Sequence, residues 1–497
     1  MTQHENKTTR KSPLFTALLV ASLASGASAG DLYVDDVGQQ CPYPSYSSIQ
    51  EAVDHSWPGC VIYIYAGTYT GSGNGAVVQI NSYDLDLIGV GDVVIDGEGL
   101  NRCVRATGPT DYRAPIRLHN ITLANGDAGN GSGGGIHATG RVFLDLCEVV
   151  NCTADNGGGI AVAPPTGAPA NEHSYMHMSL TLVTGCSADK NGGGIYLNGD
   201  SAMMTESCWI LDNSAGRNGG GFAMSGGSNL GSLQILNYNC VLDPNDLLQG
   251  QLLPGSSISG NRASKSGGGI YINAGGLNLM EGDVLNNRAG ETGGGVSLRN
   301  GILHMGWRGP VLIGQNVVGE APGVPLGNGG GLFAENATVL GDVTLNSTSG
   351  ATPHPVTFQE NVAYGRGGGV FAKQCERIDL EETTFELNRA YGHGGGMFVN
   401  SCDDFDIKAS RFLYNVGGVG GALLIKDNGS GTYDIDSTAL HYNIGVMNGG
   451  ANGGALVVSG VGASAKVSSC DFVQNLKRHI MAIAGASLLN GGMNSFN

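Results

Sequence analysis

The residues best suited to chemistry are few and scattered. Gly392-His393-Gly394 sets an imidazole between two glycines, and Asp403 and Asp404 follow shortly after, a combination that could protonate a glycosidic oxygen and activate water. Asp243-Pro244-Asn245-Asp246 offers two more carboxylates. Arg299, Glu335 and Lys373 are charged groups of the kind that remove a proton next to a uronate carboxyl, a reaction that also needs clustered carboxylates around Ca²⁺. Tyr196, Tyr271, Phe333, Phe371 and Phe398 are rings suited to sugar faces or to another protein. Whether any of these groups meet depends on the elements that carry them.

Those elements are repeats. Gly-Gly-Gly or Gly-Gly-Ala stands directly before a large apolar residue eleven times, with its third position at Gly135, Gly159, Gly194, Gly221, Gly269, Gly295, Gly331, Gly369, Gly396, Ala422 and Ala455. The residue after the triplet and the one two further on are apolar, and the next is usually polar, as at Asn198, Asn273, Arg299, Glu335 and Lys373. Period two is the mark of a strand with one buried face. A second short strand precedes a recurring Asn, as in Phe358 to Asn361, Phe385 to Asn388, Phe412 to Asn415 and Phe472 to Asn475. A unit of that size closes no core alone; stacked copies pair strand to strand at about 4.8 Å and share one interior. The expected fold is therefore all-β, a right-handed parallel β-helix of ~15 coils and roughly 70 Å.

Stacking assigns roles to the repeated residues. Glycine supplies positive φ and lets neighbouring coils approach. Asn151, Asn213, Asn261, Asn287, Asn361 and Asn388 should form an amide ladder along the axis, with Cys186 taking that slot in one coil. The five aromatic residues lie between inward positions and should point outward as a stripe, either open to a ligand or roofed by the insertions Pro164 to Glu172 and Ser228 to Ser257. Cys375 and Cys402 should stack in adjacent coils, close enough for a disulfide or for a reduced thiol ladder, and Cys41 and Cys60 could staple the N-terminal region.

The ends and the composition bound the setting. Lys7, Arg10 and Lys11, the apolar run Leu14 to Ala24 and Ala27-Ser28-Ala29 read as a removable secretory signal over residues 1–29. Residues 30–130 should hold a cap and the first coils, with Ser48 and Glu51 at capping-box spacing opening a short helix that covers the first coil. Residues 131–476 carry the repeats, and 477–497 a C-terminal tail or cap. The chain has 497 residues, 85 of them Gly, and a formal charge of −17, which excludes nucleic acid as a partner, since phosphates need Lys and Arg. No apolar run beyond the signal is long enough for a membrane span. No Gly-Lys-Ser/Thr follows the glycines and no Cys-x-x-Cys occurs, so neither a cofactor nor a metal is expected.

The segments Ser48 to Asp54, Pro58 to Tyr69 and Val93 to Gly99 resemble the opening of pectin-lyase-like β-helix proteins. The Gly-Gly-[Gly/Ala]-apolar and Phe-x-x-Asn pair resembles the repeat of the polymorphic outer-membrane protein family, with Gly420 to Leu423 and Gly453 to Leu456 the best copies. That resemblance implies a surface passenger of adhesive type; its members end in a membrane β-barrel, for which the 42 residues after Ala455 leave no room. Gly392 to Gly394 is similar to a polygalacturonase motif, but in that family the paired Asp comes first and an Asn-Thr-Asp element accompanies it. Asp243 to Asp246 is similar to the Asp-Pro-x-Asp signature of β-helix uronate epimerases, and equally to an ordinary turn. The sequence thus leads to an exported, monomeric, non-catalytic binding protein, secreted or at the cell surface, with a polysaccharide or a cell-surface protein as partner. The alternative is a lyase, hydrolase or epimerase acting on uronate-rich polysaccharide.

Overall fold

The computed structural model of the protein describes residues 30–496 except 44, 72–74, 82–83, 108–114, 165–173, 199–201, 226–231, 237–255, 307–308, 320–325, 342–353, 428–430, 447–452 and 477–478. The leader expected in residues 1–29 and the Asp243 to Asp246 turn lie outside the described residues.

One coil shows how the repeat folds. Val370–Lys373 forms the first face, Arg377–Glu381 the second, Thr384–Glu386 the third, and the two-residue strand Arg389–Ala390 the fourth, before Gly394 to Gly396 leads into Met397–Asn400 of the next coil. Each face pairs in parallel with its counterpart one coil on: Val370 with Met397, Ile378 with Phe405, Phe385 with Phe412, Arg389 with Val416. Among the described residues the first three faces form one 40-stranded hydrogen-bonded system and the fourth a 10-stranded sheet. The chain is a parallel β-helix, as the period-two pattern and the repeat length predict.

The Phe-x-x-Asn signature is explained residue by residue. Phe358, Phe385 and Phe412 point inward, fully buried, and stack with centroids 5.1 and 4.4 Å apart. Next comes an outward residue, then one in the left-handed region, which turns the chain so that the Asn points inward again. In the ladder each Asn that follows another Asn takes two donations on Oδ1 from the preceding coil: Asn388 accepts from the Asn361 backbone N–H at 3.1 Å and from its Nδ2 at 3.0 Å. Its own Nδ2 donates to the Phe358 carbonyl at 2.8 Å and to Asn415 at 3.0 Å. The ladder runs from Asn213 through Asn261, Asn287, Asn316, Asn361, Asn388, Asn415 and Asn443 to Asn475.

Asn151 is not in it, contrary to expectation. It occupies the exposed left-handed position (φ 55°), and the next residue, Cys152, fills the buried slot. The cause is a one-residue register shift: Ala154 pairs with Ala188, but Asn156 pairs with Asn191. That coil is one residue shorter before its triplet. Asn is favoured at both kinds of position, which is why spacing from the glycines misplaces it.

The triplet divides its work among three positions. The first glycine has positive φ, 66° at Gly367 and at Gly394. A Cβ on the second would meet backbone of the next coil, as Gly368 meets the Gly395 carbonyl at 2.3 Å. A Cβ on the third is less crowded by backbone, lying 2.9 Å from the Gly295 carbonyl oxygen and 3.0 Å from the Asn287 amide for Gly269. Only this third site ever becomes Ala, at Ala422 and Ala455, both buried.

The N-terminal helix Ile49–Asp54 is capped by the Ser48 side chain, which accepts from the Glu51 N–H at 3.2 Å. It buries Ile49, Ala52 and Val53. Gln50 exchanges two hydrogen bonds with the Gln79 backbone, at 2.6 and 3.1 Å, and so satisfies a strand edge that would otherwise template pairing with another chain. Nearby, buried Asp35 accepts from the N–H groups of Val37, Gly38, Gln40 and Cys41. Burial pushes its carboxyl up, but these four donations outweigh that and hold it below the ordinary 3.8.

Two predictions follow from this packing. Asn388→Ala should cost about 1–3 kcal/mol in denaturant unfolding, because the N–H of Asn361 and the carbonyl of Phe358 lose their buried partner. A folded-state value below the unfolded one means that Asp35 stabilises the fold at neutral pH and that its contribution disappears as pH falls through the lowered value. Unfolding midpoints of Asp35→Asn should therefore lie below wild type at pH 7 and converge on it in strong acid.

Candidate functional site

The first face carries the expected aromatic stripe, and the structure breaks it up. Its outward column reads Tyr196, Ala223, Tyr271, Ser297, Phe333, Phe371, Phe398, Leu424, Val457. Ala223 separates the two tyrosines and Ser297 separates Tyr271 from the phenylalanines. Only Phe333, Phe371 and Phe398 stack, at 5.4 and 5.3 Å and within 2° of parallel. These three are buried, to 4, 5 and 1% exposure, in a second hydrophobic cluster with Leu424 and Val457. Tyr196 and Tyr271 are half-buried, and the Tyr196 hydroxyl pairs with Ser225 Oγ at 2.9 Å.

Most of the insertions Pro164 to Glu172 and Ser228 to Ser257 lie outside the described residues; among the described residues, the coil's own turn approaches the outward residue. The first glycine of each triplet folds back over the outward residue four positions later: a Cβ on Gly394 would lie 2.8 Å from the Phe398 Cβ, and one on Gly192 2.9 Å from that of Tyr196. The guanidinium groups of Arg299 and Arg366 lie over Phe333 and Phe398, 5.2 and 5.3 Å from the ring centres. The turn, the guanidinium groups and the stacked neighbours in the column together bury the phenylalanines, whereas Tyr196 and Tyr271 behind the same turn stay half-buried.

Arg299, Glu335 and Lys373, which formed no cluster in sequence, are brought together. They end consecutive first-face strands in register. Glu335 lies between Arg299, at 3.2 Å, and Lys373, at 2.5 Å, and is largely covered by them. At the following corner Asn336 donates to Asn300 at 3.3 Å and Asn300 to Asn273 at 3.0 Å, both corner residues lying in the left-handed region. Beside this amide chain runs a trough of about 400 Å³, floored by Gly275, Gly276, Gly301 and Ala337 and edged by Ile302, Thr338 and Glu376. Gly301 is obligatory there, since a Cβ would sit 2.1 Å from the Gly275 carbonyl oxygen.

The other candidates separate. His393 is half-buried in the turn before the first face, its carbonyl accepting from Gly367. Burial, then Arg366 and Lys426, holds its imidazole below the ordinary value. Asp403 and Asp404 lie past the strand Met397–Asn400, at the next corner, where Asp404 faces Arg377 at 3.8 Å. The second face does align three carboxylates that sequence reading passed over, Asp379, Asp406 and Asp434, in adjacent coils. Each is tied to its own cation, Arg377 at 2.7 Å, Lys408 at 2.6 Å and Lys466 at 3.2 Å. In the first two strands the cation stands two residues away, as in Arg377 with Asp379 and Asp406 with Lys408; in the third it comes from the next coil.

The ten described cysteines are free thiols in this structure, which for Cys375 and Cys402 is the reduced-ladder alternative. Cys375 and Cys402 do stack, with the Cys375 N–H donating to Cys402 Sγ at 3.4 Å. Cys152 and Cys186 continue the Asn column downward. Cys186 donates its N–H to Asn213 Oδ1 at 2.9 Å, and burial pushes its thiol up. Buried thiols so placed act as small packing groups. Cys41 contacts Asp35 through its N–H, while Cys60 lies buried under Gly30. Of the two histidines close in sequence that could suggest a metal site, His173 lies outside the described residues and His177 packs against Phe143.

Residues 255–273 and 355–373 match the repeat of the Chlamydia polymorphic membrane protein family. The second segment spans Phe358, Asn361 and the Gly367 to Gly369 triplet, the residues that build the ladder and its close approach. The protein is a parallel β-helix in which two segments are similar to the polymorphic membrane protein repeat. No curated protein matches the chain. Among solved structures, the native crystal structure of GH136 lacto-N-biosidase from Eubacterium ramulus is similar over 92% of this chain and 68% of that one, at 11% identity and a TM-score of 0.23. Among the described residues no helix is long and apolar enough to cross a membrane.

The burial of the rings makes Phe371 a core residue. Phe371→Ala should cost about 3–5 kcal/mol in denaturant unfolding, whereas a solvent-facing ring in the same place would cost a few tenths.

Proposed function

We propose that this protein is an exported, surface-exposed binding rod of adhesin type whose partner is an extended polysaccharide. The observation that supports this reading is the corner trough: a small-residue floor lets a polymer lie close to the backbone, and the Asn300 and Asn336 amides beside it supply donors and acceptors at the spacing of the coils. Carbohydrate hydroxyls need groups that both give and accept hydrogen bonds, and amides do so without carrying charge. The polymorphic membrane protein repeats fit a surface location. Export rests on the leader-like residues 1–29.

The catalytic alternative has one feature in its favour, the aligned Asp379, Asp406 and Asp434. Carboxylates in adjacent coils stand about 5 Å apart, the separation of a retaining glycosidase pair. Each is engaged by its own Lys or Arg, so the row reads as three structural ion pairs. Binding without turnover is the reading preferred.

The test is a panel of soluble polysaccharides, followed by isothermal titration for binding and by reducing ends and ultraviolet absorbance for turnover. Binding without new chain ends is expected, and Asn300→Ala with Asn336→Ala should weaken it about tenfold, for one to two hydrogen bonds lost. Turnover abolished by Asp406→Asn would establish the enzyme instead.

A further inference from the structure

The ladder residue in each coil is preceded by one in the left-handed region, and elsewhere this position holds Asn151, Asp212, Asn286, the glycines Gly185 and Gly260, or the flexible chains of Gln315, Glu360, Leu387 and Gln474. In two consecutive coils it holds tyrosine instead: Tyr414 at φ 56° and Tyr442 at φ 58°. A bulky side chain adopts this conformation rarely. Here the backbone ladder imposes it, since the Tyr414 N–H donates to the His441 carbonyl and that of Tyr442 to Val473.

The two rings stack at 4.9 Å and 6° from parallel, and Tyr414 remains 47% exposed. They share no hydrophobic cluster with the core, unlike Phe358, Phe385 and Phe412 one turn of chain away. Beside them the imidazole of His441 meets the Tyr442 ring edge-on, at 6.2 Å and 87°, and its Nε2 pairs with Asp471 Oδ2 at 3.0 Å. The result is a flat aromatic platform with hydrogen-bonding groups along one margin, built at a backbone position where a smaller residue would serve the fold better.

We propose that Tyr414 and Tyr442 form a carbohydrate platform on which pyranose rings of a neutral glycan stack, with His441 and Asp471 bonding their hydroxyls. Stacking of apolar sugar faces on a ring plane needs area and flatness and no deep pocket. The chain's charge of −17 and the carboxylate at the margin oppose a uronate polymer. This proposal rests on the binding reading above, on residues remote in sequence from the Asn300 and Asn336 trough.

Affinity electrophoresis and isothermal titration of the whole protein against β-glucan, galactomannan and starch test it. Wild type should bind at least one of them, and the variant combining Tyr414→Gly with Tyr442→Gly should bind at least about tenfold more weakly. Its melting temperature should not fall, because glycine removes the left-handed strain. Leu387→Gly, at the same position one coil earlier, should leave binding intact. Wild-type affinity in the folded tyrosine variant, or binding of uronate polymers alone, would overturn the platform and leave the trough reading standing. Retention of tyrosine-dependent binding to a protein but to no glycan would overturn it too. Loss through Asn300→Ala and Asn336→Ala alone would place the contact in the trough, and failure of the wild type to bind any polymer would remove both.

Discussion

Everything in this molecule depends on how closely one coil's backbone can approach the next at the glycine triplet. The second glycine sits where a Cβ would fall within 2.5 Å of the next coil in copy after copy. That approach brings the Asn of each coil within hydrogen-bonding reach of its neighbours, and the buried amides then satisfy one another along the axis. An isolated buried amide would be a net cost; a continuous row is not. The glycines and the asparagines are therefore one device, and the repeat keeps both.

The same turn has a second effect. Because its first glycine takes positive φ, the chain folds back close to the outward residue of the first face, leaving Tyr196 and Tyr271 half-buried and the phenylalanines buried. Phe333, Phe371 and Phe398 become a minor core with Leu424 and Val457 instead of a recognition surface. The surfaces left for partners are the corners, where the chain turns away: the amide-lined trough after the first face and the left-handed position after the third. In a solenoid the corners repeat at the coil spacing, so any side chain placed there becomes a row matched to an extended partner.

Charge is handled by the same rule of columns. Outward residues on the first and second faces alternate in sign between coils or pair two apart along a strand, as in Arg299, Glu335 and Lys373 or Arg377 with Asp379. Exposed pairs of this kind contribute little individually. Where like charges do stack, as Asp379, Asp406 and Asp434 do, each has its own cation beside it, which offsets the repulsion between directly opposed carboxylates in a chain with a net charge of −17.

The sequence alone determined the fold. Period-two alternation, the triplets and Phe-x-x-Asn specify strand faces, bends and inward residues locally, and stacking identical units admits one solution. It also placed the N-terminal helix through Ser48 and Glu51, and the stacking of Cys375 on Cys402. What it could not decide was the side of a turn on which a neighbour lies. Whether Phe371 is open or roofed depends on the path of a turn several residues earlier. Whether Asn151 or Cys152 fills the ladder depends on a one-residue shift visible only in pairing with Ser187 and Asn191. Arg299, Glu335 and Lys373 meet because three coils are in register, and Tyr414 meets Tyr442 for the same reason. Contacts along the axis join residues roughly a coil apart in sequence, and only the stacked structure sets their register and the direction in which each side chain leaves the backbone.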